Sequence, residues 1–310
     1  MSNRASSLGM FCLVVVWIVW GSTYLGIRVA VREGSGFPPF AMAALRALVG
    51  GAILLLIGVL LKQRVKPGRR ELCLLAASAL LLWNGGNGLV TWSEHRVHSG
   101  YAALCVGSTP IFSAIVEAIW TRRRPSAMLL LSLLTGFAGL AVLTAPVLRM
   151  GIRADFLATF AIVIATLSWC LGSSLQQRHP VSLHPVVIAG WQQILALAGY
   201  ALMSRATSEP LPHPTPHAWL AWAYLTGVGS LFGFTAYVVA LKHLSLPVVM
   251  TYAYVNPLIA VALGWFFLSE PVTLWTAGGT ALILAGVAGV FHDKFARPKT
   301  GSPPPAPEAA

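Results

Sequence analysis

Ten apolar runs follow one another along the chain, and a short polar or charged segment separates each run from the next. Most runs hold about twenty residues, and a helix of that length, rising about 1.5 Å per residue, crosses the hydrocarbon core of a bilayer. The pattern predicts an all-α polytopic membrane protein whose transmembrane helices 1 to 10 cover approximately residues 8–31, 38–61, 71–92, 97–121, 126–148, 155–177, 185–204, 217–241, 246–269 and 272–292.

The chain contains an internal duplication. Pro110 in the fourth run recurs as Pro257 in the ninth, 147 residues later, and Gly139 recurs as Gly286 at the same offset. Two separate landmarks at one spacing are difficult to explain by chance. We therefore predict two five-helix repeats, residues 8–148 and 155–292, and a disordered cytoplasmic tail that is rich in proline and small residues, residues 293–310.

Basic residues indicate how the two repeats are oriented. The arginines at positions 122–124 follow helix 4, whereas Ser-Glu-Pro at positions 269–271 follows its counterpart, helix 9. Because Lys and Arg gather on the cytoplasmic side of membrane proteins, the two copies are predicted to face opposite ways. Inverted repeats of this kind build transporters whose substrate site lies between the two halves, near the middle of the bilayer.

The same count places both chain termini. With the N-terminus inside, fourteen Lys and Arg residues fall in cytoplasmic segments and five fall in outer segments. Arg149 and Arg153 are outer residues that run against the trend. The excess still predicts that both termini are cytoplasmic.

Composition agrees with a membrane protein and narrows the partners. Hydrophobic residues make up 56% of the chain and charged residues 10%. The net charge of +12 would suggest nucleic acid in a soluble protein, but here the cations gather in loops, so we expect lipid and no nucleic acid as partners. The four cysteines lie in separate apolar runs without metal-ligand spacing, which predicts no disulfide, no metal site and no cofactor.

Prolines near the centres of helices 4 and 9 are candidate hinges. Pro110 and Pro257 each remove one amide donor and free the carbonyl group one turn earlier. Polar backbone at that depth requires protein or a wet cavity beside it, and Thr109 and Asn256, just before the prolines, could supply hydrogen bonds there. Kinks that serve packing alone are the alternative, and the two interpretations are compatible.

Three further polar residues lie inside predicted spans. Asn84 and Asn87 share one face of helix 3 and either contact substrate or tie helices together. Arg46 in helix 2 lies about 12 Å from the outer end of its span, at a depth close to that of Asn87. Its planar fork suits a carboxylate, whereas Gln192 occupies the same place in the second repeat.

Glu117 is the acidic residue that the predicted spans place well inside the membrane. One interpretation makes it a structural anchor that pairs with the arginines at positions 122–124. The rival interpretation is a carboxylate that couples transport to a proton, because membrane proton relays use such groups.

Aromatic side chains share helix faces with small and hydroxyl residues, as is typical of a cavity for an amphipathic solute. Packing within the bundle or a position in an interfacial belt is the alternative for each one. The aromatic residues that we assign to substrate binding on this basis are Trp17, Trp20, Tyr24, Tyr101, Trp169, Tyr237 and Tyr252.

Several of these segments resemble a known group of transporters. WGSTYLGIR at residues 20–28, NGLVTWSEHRVHSGYAAL at 87–104, and the later Asn-Pro followed by Ser-Glu-Pro resemble the drug/metabolite transporter superfamily. Bacterial inner-membrane proteins with two tandem EamA repeats are the most similar members, and the resemblance extends over about residues 8–290. It implies a ten-helix inverted-repeat fold that moves small metabolites, commonly outward. One departure is that arginines at 123 and 124 stand where the second repeat has Glu270.

These observations predict a secondary transporter, and specifically an exporter of small metabolites such as amino acids, rather than an enzyme. An intramembrane enzyme is the first alternative, but the chain has no HExxH, no GxSxG and no paired membrane aspartates. A sensor or scaffold without transport is the second. Phosphorylated solutes rank lower because few cations lie deep in the spans. The solute, the coupling proton, the direction and the oligomeric state stay open.

The predicted inversion can be tested by labelling single cysteines placed at Arg123 and at Glu270 in intact cells. We expect a membrane-impermeant maleimide to label the second position and not the first. Labelling of both positions from the same side would contradict inverted repeats.

Overall fold

The computed structural model describes residues 3–96, 102, 105–149, 156–259 and 273–295. Every regular element in these ranges is helical, and the helices follow the order of the predicted spans. They are α1 (Asn3–Val31), α2 (Pro39–Leu60), α3 (Arg69–Arg96), α4 (Thr109–Thr121), α5 (Ala127–Arg149), α6 (Phe156–Arg178), α7 (Pro185–Ala206), α8 (Pro216–His243), α9 (Leu246–Ile259) and α10 (Leu274–Phe295).

The helices confirm an all-α polytopic membrane protein. Eight of the described helices are long and apolar enough to span a bilayer, and α4 and α9 are shorter apolar helices that adjoin residues outside the described ranges. The prediction for helix 3 was too short, because α3 continues past Trp92 to Arg96. α10 likewise continues to Phe295, three residues into the segment assigned to the tail.

Equivalent helices of the two repeats pack against each other in antiparallel pairs. α2 lies along α7, where Gly50 meets Gln193 and Gly58 meets Val187. The residue number rises on one helix while it falls on the other. α5 lies along α10 in the same antiparallel sense, with position 136 against 286 and position 139 against 279. Because equivalent helices run in opposite directions, the two repeats are inverted, as predicted.

The remaining helix contacts also occur in equivalent pairs, one pair for each way of matching the two repeats. α1 packs on α8, and the equivalent pair, α6 and α3, is also in contact. α2 touches α8 just as α7 touches α3. The core of the molecule is therefore formed by helices of both repeats, and the four helices α1, α3, α6 and α8 surround its centre.

Glycines bring the backbones of α5 and α10 close together. A Cβ added to Gly139 would lie 2.6 Å from the Ile283 amide nitrogen and 2.8 Å from the Gly279 carbonyl oxygen. Apolar helices gain no hydrophobic energy by leaving lipid for each other, so close backbone approach at small residues is a main source of their attraction. This crossing is therefore a principal contact between the two repeats.

Carboxylates fix both ends of the α2 and α7 pair. Glu209, in the loop before α8, accepts hydrogen bonds from the amides of Phe40 (2.7 Å) and Ala41 (2.9 Å) at the start of α2. Glu71 accepts one from the Ser182 amide, 3.1 Å away, just before α7. The Arg64 guanidinium donates a hydrogen bond to each carboxylate oxygen of Glu71. This bidentate contact raises the pKa of the exposed Arg64 guanidinium.

Both α3 and α8 widen into a π-helical segment at corresponding positions in their repeats. These segments are Leu80–Gly88 and Leu225–Phe234. A π-helical turn bonds each amide to a carbonyl five residues earlier, and such turns often occur at functional sites. Here they turn side chains of both helices toward the centre of the molecule.

α4 and α9 are interrupted near their candidate hinge prolines, but not at them. The first helix turns at positions 107–108 and resumes at Thr109, so Pro110 lies in the first turn of α4 rather than at a helix centre. An amide is not needed there, which makes proline favourable. The Thr109 hydroxyl donates to the Val106 carbonyl that we expected to be free. α9 turns at positions 250–251, about two turns before Pro257.

Adjacent glycines on α10 allow a matched test of the α5 crossing. A Cβ at Gly279 would lie 2.8 Å from both the Gly139 carbonyl oxygen and the Leu143 amide, whereas a Cβ at Gly278 meets nothing within 4 Å. We expect Gly279→Ala to lower the free energy of unfolding by about 1 to 3 kcal/mol. Gly278→Ala should leave it unchanged or raise it by up to about 1 kcal/mol. Thermal unfolding in detergent measures both, and equal effects would contradict the proposed role of the crossing.

Candidate functional site

A central cavity lies between the two repeats, and both of them supply its walls. Its volume is about 90 Å³, which is room for a few water molecules at about 30 Å³ each. Side chains from α1, α2, α3, α4, α6, α8 and α9, together with one residue before α4, line this central cavity: Trp20, Thr23, Tyr24, Ile27, Arg46, Trp83, Gly86, Asn87, Val90, Val106, Thr109, Ala165, Thr166, Trp169, Gly229, Phe234, Tyr252 and Asn256.

The sequence-derived site residues divide into those that line the cavity and those that do not. The residues that line it are Trp20, Tyr24, Arg46, Asn87, Thr109, Trp169, Tyr252 and Asn256. The described residues that do not line it are Trp17, Asn84, Tyr237, Pro110, Pro257 and Glu117. Tyr101 lies outside the described residues.

Arg46 reaches the cavity from α2 and is only 4% exposed. Its Nε donates to the Ser230 hydroxyl (2.7 Å), and the guanidinium carbon lies 5.7 Å from the centre of the Trp83 ring. Its Nη1 is buried without a hydrogen-bond partner, and in the described part of the chain no carboxylate pairs with it. A buried charge without a counter-charge is costly, so the position is suited to an anionic group of a ligand.

Aromatic rings form a contiguous wall on one side of the cavity. The Trp20 ring lies 5.5 Å from Trp169, 5.0 Å from Tyr252 and 5.0 Å from Tyr237, measured between ring centres. Tyr237 is fully buried behind this wall, and its hydroxyl bonds with the Ser173 hydroxyl. These rings offer a large apolar surface to a solute.

The two asparagines in the π-helical segment of α3 have different surroundings. Asn84 is 4% exposed, and its side-chain amide donates to the Ala196 carbonyl (2.9 Å), which ties α3 to α7. Asn87 lines the cavity, and its Oδ1 is buried without a partner. Asn84 thus ties two helices together, and substrate contact by Asn87 stays a prediction.

Asn256 connects α9 with α1 at the cavity. In the orientation that satisfies its amide, the side-chain nitrogen donates to the Tyr252 carbonyl (2.9 Å) and to the Trp17 carbonyl (3.2 Å). Trp17 itself packs its ring edge-on against Phe291, at 6.4 Å between ring centres, away from the lining. Asn256 therefore combines a structural contact with a place at the cavity.

The anchor interpretation of Glu117 is not supported. Glu117 is half-buried with one oxygen unpartnered, and in the described chain no ion pair joins it to the arginines at positions 122–124. α4 ends at Thr121, and Arg122 adopts a left-handed conformation with φ of 53°. This turn separates the arginines from the helix that carries Glu117.

The structure reveals a buried acid that the sequence analysis missed. Glu94 lies in the last turns of α3 and is 0% exposed, and both of its carboxylate oxygens lack a hydrogen-bond partner. The Arg28 guanidinium donates to the backbone carbonyl of Glu94 (2.7 Å) instead. The signal that could have found Glu94 is its spacing of seven residues, about two helical turns, from the site candidate Asn87. Thr23, Trp83 and Thr166 are lining residues that were also missed.

Comparisons with known proteins identify relatives over most of the chain. The sequence model of the EamA-like transporter family matches residues 7–145 and 156–292. YedA, an uncharacterized inner membrane transporter of Escherichia coli K12, is 35% identical over 259 residues, covering 81% of this chain and 80% of that protein. A protein of Streptantibioticus cattleyicolor named "Probable terminal-alkyne amino-acid exporter" is 24% identical over 308 residues, covering 96% and 98%.

A solved crystal structure has the same fold. It covers 95% of this chain and 99% of its own, with a TM-score of 0.72 and 18% sequence identity.

The two asparagines of α3 provide a matched test of these assignments. Asn84→Leu removes the hydrogen bond to the Ala196 carbonyl and crowds Gly199 with a branched side chain, so we expect it to lower the free energy of unfolding by about 1 to 3 kcal/mol. Asn87→Leu removes a side chain whose oxygen has no partner, so it should unfold at the temperature of the unmodified protein. Thermal unfolding in detergent distinguishes them, and greater destabilisation by Asn87→Leu would reverse the assignment.

Proposed function

Because the chain belongs to the EamA-like transporter family, we propose that it is a secondary transporter that exports small amphipathic metabolites, such as amino acids, across the bacterial inner membrane. Its inverted repeats would open the central cavity alternately to each side of the membrane. The proposal includes the orientation inferred from the basic residues, with both termini in the cytoplasm.

The unpaired edge of Arg46 is the observation that carries the substrate class. A solute carboxylate beside Nη1 would accept a charge-assisted hydrogen bond and supply the counter-charge that the described residues lack. The planar guanidinium can offer two parallel N–H groups, which match the geometry of a carboxylate. A mono-carboxylate fits one arginine better than a phosphorylated solute with two or more charges.

The aromatic wall suits the apolar side chain and the ammonium group of such a solute. An apolar side chain would pack against the rings of Trp20 and Trp169, and an ammonium group would be attracted to their faces. The unsatisfied Oδ1 of Asn87 can accept a hydrogen bond from the same ammonium group. An amino acid presents these three chemical features together.

One relative supports this substrate class. The Streptantibioticus protein, which aligns with almost the whole chain, carries a name that describes export of an amino acid. The same family and coverage make that class a reasonable first choice for the solutes to be tested.

Transport requires the cavity walls to move, because about 90 Å³ does not hold an amino acid. The irregular backbone around the cavity consists of the π-helical segments and the interrupted helices α4 and α9. Few-residue irregularities of this kind absorb the dihedral changes of gating motions. We propose that Pro110, in the first turn after the interruption before α4, and Pro257, about two turns after the interruption of α9, act in the hinges that open the site.

Replacing Arg46 tests the substrate assignment. We expect Arg46→Gln to reduce uptake of radiolabelled amino acids into inside-out membrane vesicles by about 10- to 100-fold, because one or two charge-assisted hydrogen bonds are lost. The probe is a mixture of aromatic and aliphatic amino acids. Arg70→Gln removes the same charge at an exposed position on α3 and should leave uptake unchanged.

Amino acid methyl esters, which lack the carboxylate, complete the experiment. The unmodified protein should transport them poorly, and Arg46→Gln should not reduce their transport further. Equal uptake of amino acids by the unmodified protein and Arg46→Gln would contradict the role of Arg46. Saturable binding to purified protein with no flux in vesicles would instead indicate a sensor.

A further inference from the structure

We propose that Glu94 is the proton-binding site that couples this transporter to the proton gradient. This inference rests on the proposed export function and names its coupling ion. It stands on the position of Glu94 beside the central cavity and on the finding that, among the residues that the structure describes, none hydrogen-bonds to either of its carboxylate oxygens.

Glu94 lies one helical turn beyond the cavity lining. Val90 lines the cavity, and Glu94 follows it by four residues on the same face of α3, about 6 Å further along the axis. On α1, Arg28 follows Tyr24 by the same spacing, and Tyr24 also lines the cavity. Arg28 and Glu94 thus meet in a layer that caps the cavity on one side.

The bonds within this layer leave the Glu94 carboxylate unused. The Arg28 guanidinium donates to the main-chain carbonyl of Glu94, at 2.7 Å, and does not bond to the carboxylate oxygens. The side chain is completely buried. An ionised carboxylate in that setting is costly, whereas a neutral carboxylic acid is tolerated much better. The site as described therefore suits a bound proton.

The other charged or titratable groups around Glu94 are few in the part of the chain that the structure describes. α1 presents Tyr24 and Arg28, and Arg46 is the charged residue of α2. The start of α6 packs here through Ala158, beside the uncharged Thr159. Cys105 lies in the neighbouring segment before α4, and His95 and Arg96 follow on α3. Arg28 is therefore the nearest cation that could stabilise the ionised form when the layer opens.

The proposed cycle exchanges one inward-moving proton for exported solute. With the cavity open to the outside, water delivers a proton that forms the O–H bond of the Glu94 carboxylic acid. With the cavity open to the cytoplasm, that O–H bond breaks, the proton passes to water, and Arg28 stabilises the carboxylate. Solute export then occurs together with inward movement of one proton. Glu117, half-buried and away from the cavity, is not needed for this cycle.

Infrared difference spectroscopy tests the site without any solute. Purified protein in lipid is compared between mildly acidic and mildly alkaline buffer, and the carbonyl stretch of protonated carboxylic acids is recorded. We expect a titrating band in the unmodified protein that Glu94→Gln removes and that Glu94→Asp shifts in frequency. Glu33→Gln, at an exposed position beyond α1, is the matched control and should retain the band. An unchanged band in Glu94→Gln overturns the proposal, and the Asp variant decides it if the Gln variant does not fold.

Transport in proteoliposomes forms the second arm, with the radiolabelled amino acid mixture as probe. We expect Glu94→Gln to retain solute-for-solute exchange at equal pH on both sides and to lose accumulation driven by a pH gradient. Gradient-driven accumulation by Glu94→Gln at the level of the unmodified protein overturns the coupling role. If the unmodified protein shows neither exchange nor accumulation, the proposed function fails, and the infrared result still decides whether Glu94 binds a proton.

Discussion

Close approach of glycine-bearing helices holds the two repeats together. In lipid, apolar helices gain nothing by leaving the bilayer for each other, so attraction depends on backbone proximity and on van der Waals packing. Position 286 on α10 approaches position 136 on α5 so closely that a Cβ there would lie 2.5 Å from a backbone amide nitrogen. α2 and α7 meet in the same antiparallel manner. The α5–α10 and α2–α7 pairs fix the inverted arrangement of the two repeats. The helices α1, α3, α6 and α8 then enclose the cavity.

This division explains where irregular backbone occurs. The paired helices α2, α5, α7 and α10 are regular throughout, whereas α3 and α8 contain π-helical segments and α9 contains a turn. Irregular backbone at membrane depth is tolerated only where protein or a wet cavity satisfies its polar groups. The Thr109 hydroxyl serves the Val106 carbonyl, and Asn256 serves the carbonyls of Tyr252 and Trp17. Regular helices thus form an outer frame around a centre with irregular backbone.

Much of the fold follows from sequence alone because it depends on long-range patterns. Apolar runs of bilayer length predict helices, and the repeated spacing between Pro110 and Pro257 predicts a duplicated architecture, which the inverted contacts match. Local backbone choices were not predictable. A π-helical turn differs from an α-helical turn by one residue, and nothing in the apolar pattern of residues 80–88 marks it. The charged and polar residues from Glu94 to Arg96 made the apolar run appear to end at Trp92, so helix 3 was predicted to end too early.

The residues of the candidate site were also only partly predictable from the sequence. Periodicity identified residues on inward faces, but it could not separate Asn84, which ties helices together, from Asn87, which lines the cavity. Both residues lie in the π-helical segment, whose wider turns change which faces they occupy. Arg46 was identifiable because a cation at that depth is rare in a membrane helix, whereas its bonding partner Ser230 comes from the other repeat, 184 residues away.

Buried polar atoms without partners lie at the cavity, although other such atoms, on Gln192, Gln193 and Trp222, lie elsewhere. Arg46 Nη1 and Asn87 Oδ1 both belong to side chains that line it. Each such atom lowers stability unless something occupies the cavity, and a chain selected only to fold would remove them. A solute with an acceptor for Arg46 and a donor for Asn87 satisfies them together. Their position at the cavity supports the proposal that a zwitterionic solute binds there.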